Sequence, residues 1–296
     1  MQHSLSAAAF VPFSLTLPGG RLVEFDRPQV MGILNVTPDS FYAGSRSMGE
    51  DAVRRRVETL LSEGADMIDI GAYSSRPGAS DVSEEEELRR LEAGLSVLRS
   101  IDSDIPVSVD TFRASVARKT IAEMGADIIN DISGGALDTD MWRTVVDVRA
   151  PYILMHMRGT PQDMMNHTGY GDVTTDVIRE LGERLSELVS MGISDVIVDP
   201  GFGFSKTTQQ NYRLMHDLPL FHGLGHPLLV GVSRKSMITR PLGVTADHAL
   251  SGTIALGTYA VAHGGASILR VHDVAAARQA LAVTCYSMNP DSLPSC

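Results

Sequence analysis

The chain has 296 residues, 43% of them hydrophobic, enough to fill one (β/α)8 barrel or two smaller domains. A formal net charge of −11 argues against a nucleic-acid or anionic-membrane partner, so an anionic substrate must be held by a few placed cations or a metal. The two cysteines, Cys285 and Cys296, form no metal-type spacing, and a reducing cytosol is the simple reading.

In chain order, no basic residue precedes Arg21 and Pro12 interrupts the apolar start, which argues against a signal peptide and for a cytoplasmic protein. Phe13–Phe25, with Pro18-Gly19-Gly20 at its centre, predicts a hairpin ahead of the main fold. Val30–Leu34 is a strand ending at Asn35, followed by a helix Glu50–Glu63 that stops at Gly64. Strand Met67–Ile70 leads to a helix opened by a capping box of Ser83 with Glu86 and a run of glutamates suited to a positive helix N-terminus.

Pro106–Ile132 then reads strand, helix, strand. Asp110 closes the first strand, Asn130 and Asp131 close the second, and Gly125 sits where a left-handed helix cap belongs. Later strands are Tyr152–Met155 before His156, Val196–Val198 before Asp199, Leu228–Val232 before Ser233-Arg234-Lys235, and Ile268–Leu269 before Arg270. Helices are expected near Met141–Val146, over Asp172–Met191 and Thr245–His263, and from Val274. The uncharged run Ala249–Leu269 contains His263-Gly264-Gly265, which marks a buried helix turning into a strand rather than a membrane span.

A repeat of helix-stopping glycine, short apolar strand and polar strand end (GADMIDI, GADIINDI, GISDVIVDP, GGASILRVHD) predicts an α/β fold, a single (β/α)8 barrel with its site on the carboxyl face. The competing topology is a doubly wound open sheet. The boundaries are an N-terminal hairpin at 1–29, a barrel at 30–288 and a tail at 289–296.

Several chemistries fail on the residues. Ser205 stands where a P-loop ending in Lys206-Thr207 needs glycine, and there is no G-x-S-x-G elbow to activate Ser233. His156 and His272 are not spaced as a zinc pair on one helix, and no dinucleotide fingerprint is present. What remains is a rim of hydrogen-bonding strand ends, Asp110, Asn130 and Asp199, which suits a flat heterocycle rich in N–H donors. Beside it, Arg76, Lys235, Arg270 and His272 read as a cationic anion pocket. Asn35 could ligate a hard cation through its amide oxygen.

The stretches MGILNVTPDSF, SSRPGA, VSVDT, IINDI, LMHMRGTP, DPGFGF, SRKS and RVHDV, in that order from Met31 to the last helix, together resemble the dihydropteroate synthases of the pterin-binding (β/α)8 family. The resemblance implies condensation of 4-aminobenzoate with (7,8-dihydropterin-6-yl)methyl diphosphate, with Mg²⁺ and a homodimer. It implies that Asp110, Asn130, Asp199, Lys235 and Arg270 hold the pterin, with Asp110, Asp199, Lys235 and Arg270 catalytic. Asn35, Arg76, Arg270 and His272 would take the diphosphate, Asn35 the metal, and Phe41, Ser75, Pro77 and Ser236 the aminobenzoate. The chain departs from the family pattern at Ser74-Ser75, where Ser-Thr is usual, and at Ala43, where many members carry aspartate. A non-catalytic pterin-binding paralogue is the alternative, and a phosphate-handling barrel isomerase or lyase a weaker one.

Overall fold

The structure, a computed structural model, describes residues 9–36, 46–73 and 82–292. Strands β1 (Phe13–Leu17) and β2 (Arg21–Phe25) pair antiparallel as the expected hairpin. Then come β3 (Gln29–Asn35), α1 (Arg46–Ser62), β4 (Met67–Gly71), α2 (Glu84–Ile101), β5 (Val107–Asp110), α3 (Ala114–Glu123) and β6 (Ile128–Asp131). The chain continues with α4 (Met141–Val148), β7 (Tyr152–Met155), α5 (Val173–Ser190), β8 (Val196–Asp199) and α6 (Thr208–His216). It ends with β9 (Leu229–Val230), α7 (Ser236–Leu242), α8 (Leu250–Ala262), β10 (Ile268–Val271) and α9 (Val274–Met288).

Strands β3 to β10 are parallel in the order β8-β7-β6-β5-β4-β3-β10-β9. The ring closes where Val198 bridges Leu228 and donates its N–H to the Pro227 carbonyl at 2.9 Å. That closure rules out the open doubly wound sheet and leaves a (β/α)8 barrel.

Strand alternation sorts the side chains into two apolar layers. Val107, Val109, Ile129, Leu154, Val198 and Leu269 face the helices. Met31, Met67, Ile128, Ile153, Ile197, Leu229 and Ile268 face the lumen near its amino end, and there the hairpin packs Leu15, Leu17 and Phe25 against them. The hairpin is therefore the floor of the barrel. With that end plugged by hydrocarbon, polar groups in the lumen are displaced towards the carboxyl end.

Some local expectations change. The Leu228–Val232 strand shortens to Leu229–Val230, because the chain turns at Val232, whose carbonyl accepts from Lys235 N–H at 3.1 Å. The helix expected over Thr245–His263 divides into a 3-10 turn at Ala246–His248 and α8. Helices α6 and α7 were not foreseen.

The capping box at Ser83 is only half made. Ser83 Oγ accepts from Glu86 N–H at 3.3 Å, but the Glu86 carboxylate turns to Arg89 and Arg90, and these guanidiniums hold it at about 2. A reciprocal box does form at Thr207 and Gln210, opening α6. Nor is the acidic run of α2 all solvated. Glu87 is buried, accepts from Thr111 Oγ1 at 2.7 Å and pairs with Arg113, tying α2 to the loop after β5.

Candidate active site

Parallel register places several of the polar strand ends in one layer. Asn35 stands opposite Gly71, Gly71 opposite Asp110, and Asp110 opposite Asn130, across four adjacent strands from β3 to β6. Asp110 and Asn130 occupy the inward phase of their strands, two residues beyond the inward Ser108 and Ile128. Asp131 takes the outward phase and is consumed by the fold. It accepts from Ser133 N–H and Oγ–H, Gly135 N–H and Tyr152 OH, all at 2.7–2.8 Å.

Arg270 enters the lumen from β10 and joins two carboxylates. Its Nε and Nη2 lie 2.6 and 2.5 Å from Asp69 Oδ2, and Nη2 lies 2.9 Å from Asp110 Oδ2. Burial disfavours the guanidinium, yet these two carboxylates outweigh it and raise the Arg270 pKa. Asp69 also accepts from Asn130 Nδ2, at 3.2 and 3.3 Å. Fully buried, Asp69 is the residue that reasoning from sequence missed. Its signal was an acid inside the apolar strand MIDI, where an unpaired charge could not be buried and a cation had to face it.

On the opposite side, Asp199 caps its own loop by accepting from Gly201 N–H at 2.8 Å. Lys235 reaches over that loop, donating to the Phe202 carbonyl at 2.6 Å with its ammonium 4.7 Å from the centre of the Phe204 ring. Burial lowers the Lys235 pKa to about 8, with Asp199 pulling the other way. Burial raises both acids, Asp199 against the pull of Lys235 and Asp110 to about 7 against the pull of Arg270. Acids and cations are thus drawn together, out of water, around one end of the lumen.

His272 does not act as a cation here. Burial and the neighbouring Arg270 and Arg234 push it down to about 4. Its Nδ1 lies 2.9 Å from Ser233 Oγ, which also accepts from His272 N–H at 3.2 Å. Ser233 Oγ can donate to Nδ1 while it accepts from the backbone, and with that bond made the neutral ring offers Nε2–H as a donor. Ser236 is exposed at the start of α7, next to Lys235. Phe41, Ser75, Arg76 and Pro77, like the departures at Ala43 and Ser74, lie outside the described residues.

A second polar cluster supports the β8 loop from behind. Buried Lys206 donates to the carbonyls of Gly201 and Phe204 and to Nδ1 of buried His156, which meets Glu180 at 2.9 Å through Nε2. Arg158 pairs with Glu180 and lies 3.9 Å from the centre of the Tyr170 ring.

The pterin binding enzyme family model matches residues 31–272, which span β3 to the end of the β10 segment. The chain belongs to that family, among the dihydropteroate synthases. Dihydropteroate synthase from Synechocystis sp. is 43% identical over 273 residues, covering 90% of this chain and 93% of the relative. The Yersinia pestis dihydropteroate synthase, solved as a sulfonamide drug complex, superposes with a TM-score of 0.85 at 38% identity, covering 94% of this chain and all of that one. The Xanthomonas albilineans dihydropteroate synthase, solved in complex with 7,8-dihydropteroate, gives 0.81 at 38% identity, covering 95% of this chain and 100% of that one. Family membership thus covers every strand that carries a candidate site residue.

Proposed function

We propose that this chain condenses 4-aminobenzoate with (7,8-dihydropterin-6-yl)methyl diphosphate, giving 7,8-dihydropteroate and diphosphate. The observation that carries the reading is the lumen end where Asp110, Asn130 and Asp199 gather beside Arg270 and Lys235, in a chain whose relatives are dihydropteroate synthases. The carboxylates suit the N–H donors of the pterin's amino-pyrimidine edge, Lys235 its O4 and N5 side, and the planar Arg270 guanidinium its ring face.

Departure of diphosphate leaves the exocyclic methylene with positive charge, and buried carboxylates nearby stabilise it. Arg270 and the His272 Nε2–H meet the diphosphate oxygens. The neutral aryl amine then attacks the methylene carbon, the C–N bond replaces the C–O bond, and the amine's proton passes to solvent. No enzyme nucleophile is required.

Among the described residues, magnesium fits as an ion carried largely by the substrate. Among the described residues no group of three histidine, cysteine, aspartate or glutamate side chains could hold a metal, while Asn35 stands exposed at its strand end. Mg²⁺ ordinarily keeps waters and takes few protein oxygens beside phosphates. Bound through Asn35 and the diphosphate, it would add positive charge at the leaving group.

Phe41, Ser75 and Pro77, with exposed Ser236, are assigned to aminobenzoate and Arg76 to diphosphate. A sulfonamide is expected to compete with aminobenzoate. A cytoplasmic homodimer pairing through α8 and α9, where Leu250, Tyr259 and Val283 are exposed, completes the reading. No described helix is long and apolar enough to cross a membrane.

Diphosphate release, measured with Mg²⁺ and with or without 4-aminobenzoate, tests the proposal. Release should depend on aminobenzoate and yield dihydropteroate. Asp199→Ala should lose roughly tenfold to a hundredfold in kcat/KM for each pterin N–H left unpaired. Wild-type turnover by that variant would contradict the assignment, and pterin binding without product would make the chain a binding protein.

A further inference from the structure

We infer that Asp69 is a positioning residue for specificity: it turns the Asn130 amide so that Oδ1 faces the ligand cavity and selects a ring edge bearing N–H donors. The inference deepens the pterin reading above and rests on it.

The side chains leave little choice of orientation. A carboxylate ion-paired to a guanidinium offers only acceptors, and both Asp69 oxygens lie within 3.3 Å of the Asn130 amide. Only the nitrogen of that amide can meet them, so Nδ2 turns to Asp69 and Oδ1 turns away. Asn130 is 5% exposed, and its Oδ1 is not a sealed atom without a partner.

Asp69 itself has no exposed surface and its oxygens are taken by Arg270 and Asn130. It is not placed to touch a ligand. It reaches Asn130, two strands away, past Ser108, the small residue opposite it in register on β5. A hydrocarbon side chain would fill this buried position with less desolvation cost, so the acid is explained by what it orients.

The consequence is selectivity. A fixed carbonyl oxygen accepts from a ring amino group and repels a ring carbonyl. An amide free to turn would serve either. The 2-amino and 2-oxo versions of one 4-oxopteridine differ at C2 and in the N1 proton that the dioxo form carries, and one hydrogen bond made or mispaired at C2 changes affinity about tenfold or more.

Calorimetric titration of the full chain with 2-amino-4-oxopteridine and with 2,4-dioxopteridine tests this. Wild type should prefer the amino compound. Asp69→Asn offers either polarity to the Asn130 amide and should reduce the preference about tenfold, mainly by admitting the dioxo compound. Arg270→Lys keeps the Asp69 carboxylate and a cation, and should weaken both ligands while leaving their ratio near that of wild type.

A folded Asp69→Asn protein with the wild-type ratio would overturn the inference. Should Asp69→Asn not fold, Asn130→Ala decides, because it removes the amide and leaves the Asp69–Arg270 pair. It should lower the ratio similarly, and an unchanged ratio would again overturn the inference. Failure of wild type to bind either pteridine would instead remove the pterin reading, and this inference with it.

Discussion

Lys206 Nζ lies 3.0 Å from His156 Nδ1 and 3.1 and 3.2 Å from the carbonyls of Gly201 and Phe204, on a residue only 2% exposed. Burial lowers its pKa to about 7. An unfolded chain would bind that proton up to about 10.4. Between those values the unfolded state carries a proton that the fold does not, so this group makes the fold more stable as pH rises. Lys206→Met should therefore show two effects. It should destabilise the protein by about 1–3 kcal/mol at pH 7 by stranding acceptors. The gap to wild type should widen towards pH 9, by at most about 1.4 kcal/mol per pH unit. Urea unfolding at pH 7, 8 and 9 measures both, and a gap that stays flat with pH would show that the amine is charged in the fold. Legibility at this scale followed position along the strand. Asp110, Asn130, Asp199 and Arg270 were readable because they ended apolar strands. Asp69 shows only as an acid inside an apolar strand, and neither its partner nor that of Lys206 is readable, since these lie 201 and 50 residues away in sequence.

Among the elements, the loop after β8 carries the tightest constraint. Gly201 has φ +72°, and a Cβ there would sit 1.9 Å from the His156 carbonyl oxygen. Gly201→Ala cannot be relieved by a rotamer change, since the obstacle is backbone. It should displace the loop that Asp199, Lys206 and Lys235 share, and lower pterin affinity at least about tenfold while the far-UV circular dichroism of the barrel stays native. Unchanged affinity would mean that the loop does not shape the pocket. The hairpin makes a contrasting case. Leu17→Ala empties a fully buried position in the floor and should cost about 2–5 kcal/mol in denaturant unfolding, with little change in pterin affinity because the floor lies at the opposite end. The hairpin was readable from Pro18-Gly19-Gly20, but its place under the barrel was not, because pairing between distant apolar faces leaves no local trace. Helix α6 has a local signal in Thr207 with Gln210, the capping pair that opens it. Helix α7 had almost none, with seven residues and Pro241 among them.

For the whole molecule, the repeat of glycine, apolar strand and polar end was enough to predict the barrel, since each unit supplies one parallel strand and its crossover. What it could not specify was closure, which rests on the Val198–Leu228 bridge beside the shortest strand. The charge has a consequence at this scale too. The chain carries −11 overall, yet its proposed substrate is a diphosphate, which among the described residues meets the cations Arg270 and Lys235 at the lumen end. Beyond about 10 Å at 0.1 M salt the net charge is screened, whereas below about 0.01 M its reach grows to about 30 Å. At low salt, then, the approaching diphosphate meets repulsion before attraction. The buried cations are screened much less by added salt than the outer field is. The association rate of the pterin diphosphate should therefore rise as salt increases from about 0.01 to 0.15 M, while that of the uncharged 2-amino-4-oxopteridine should hardly change. Stopped-flow binding of the two ligands measures the difference. A diphosphate rate that falls with salt would mean that local cations at the mouth overcome the net charge, and would place a further basic group in the path of entry.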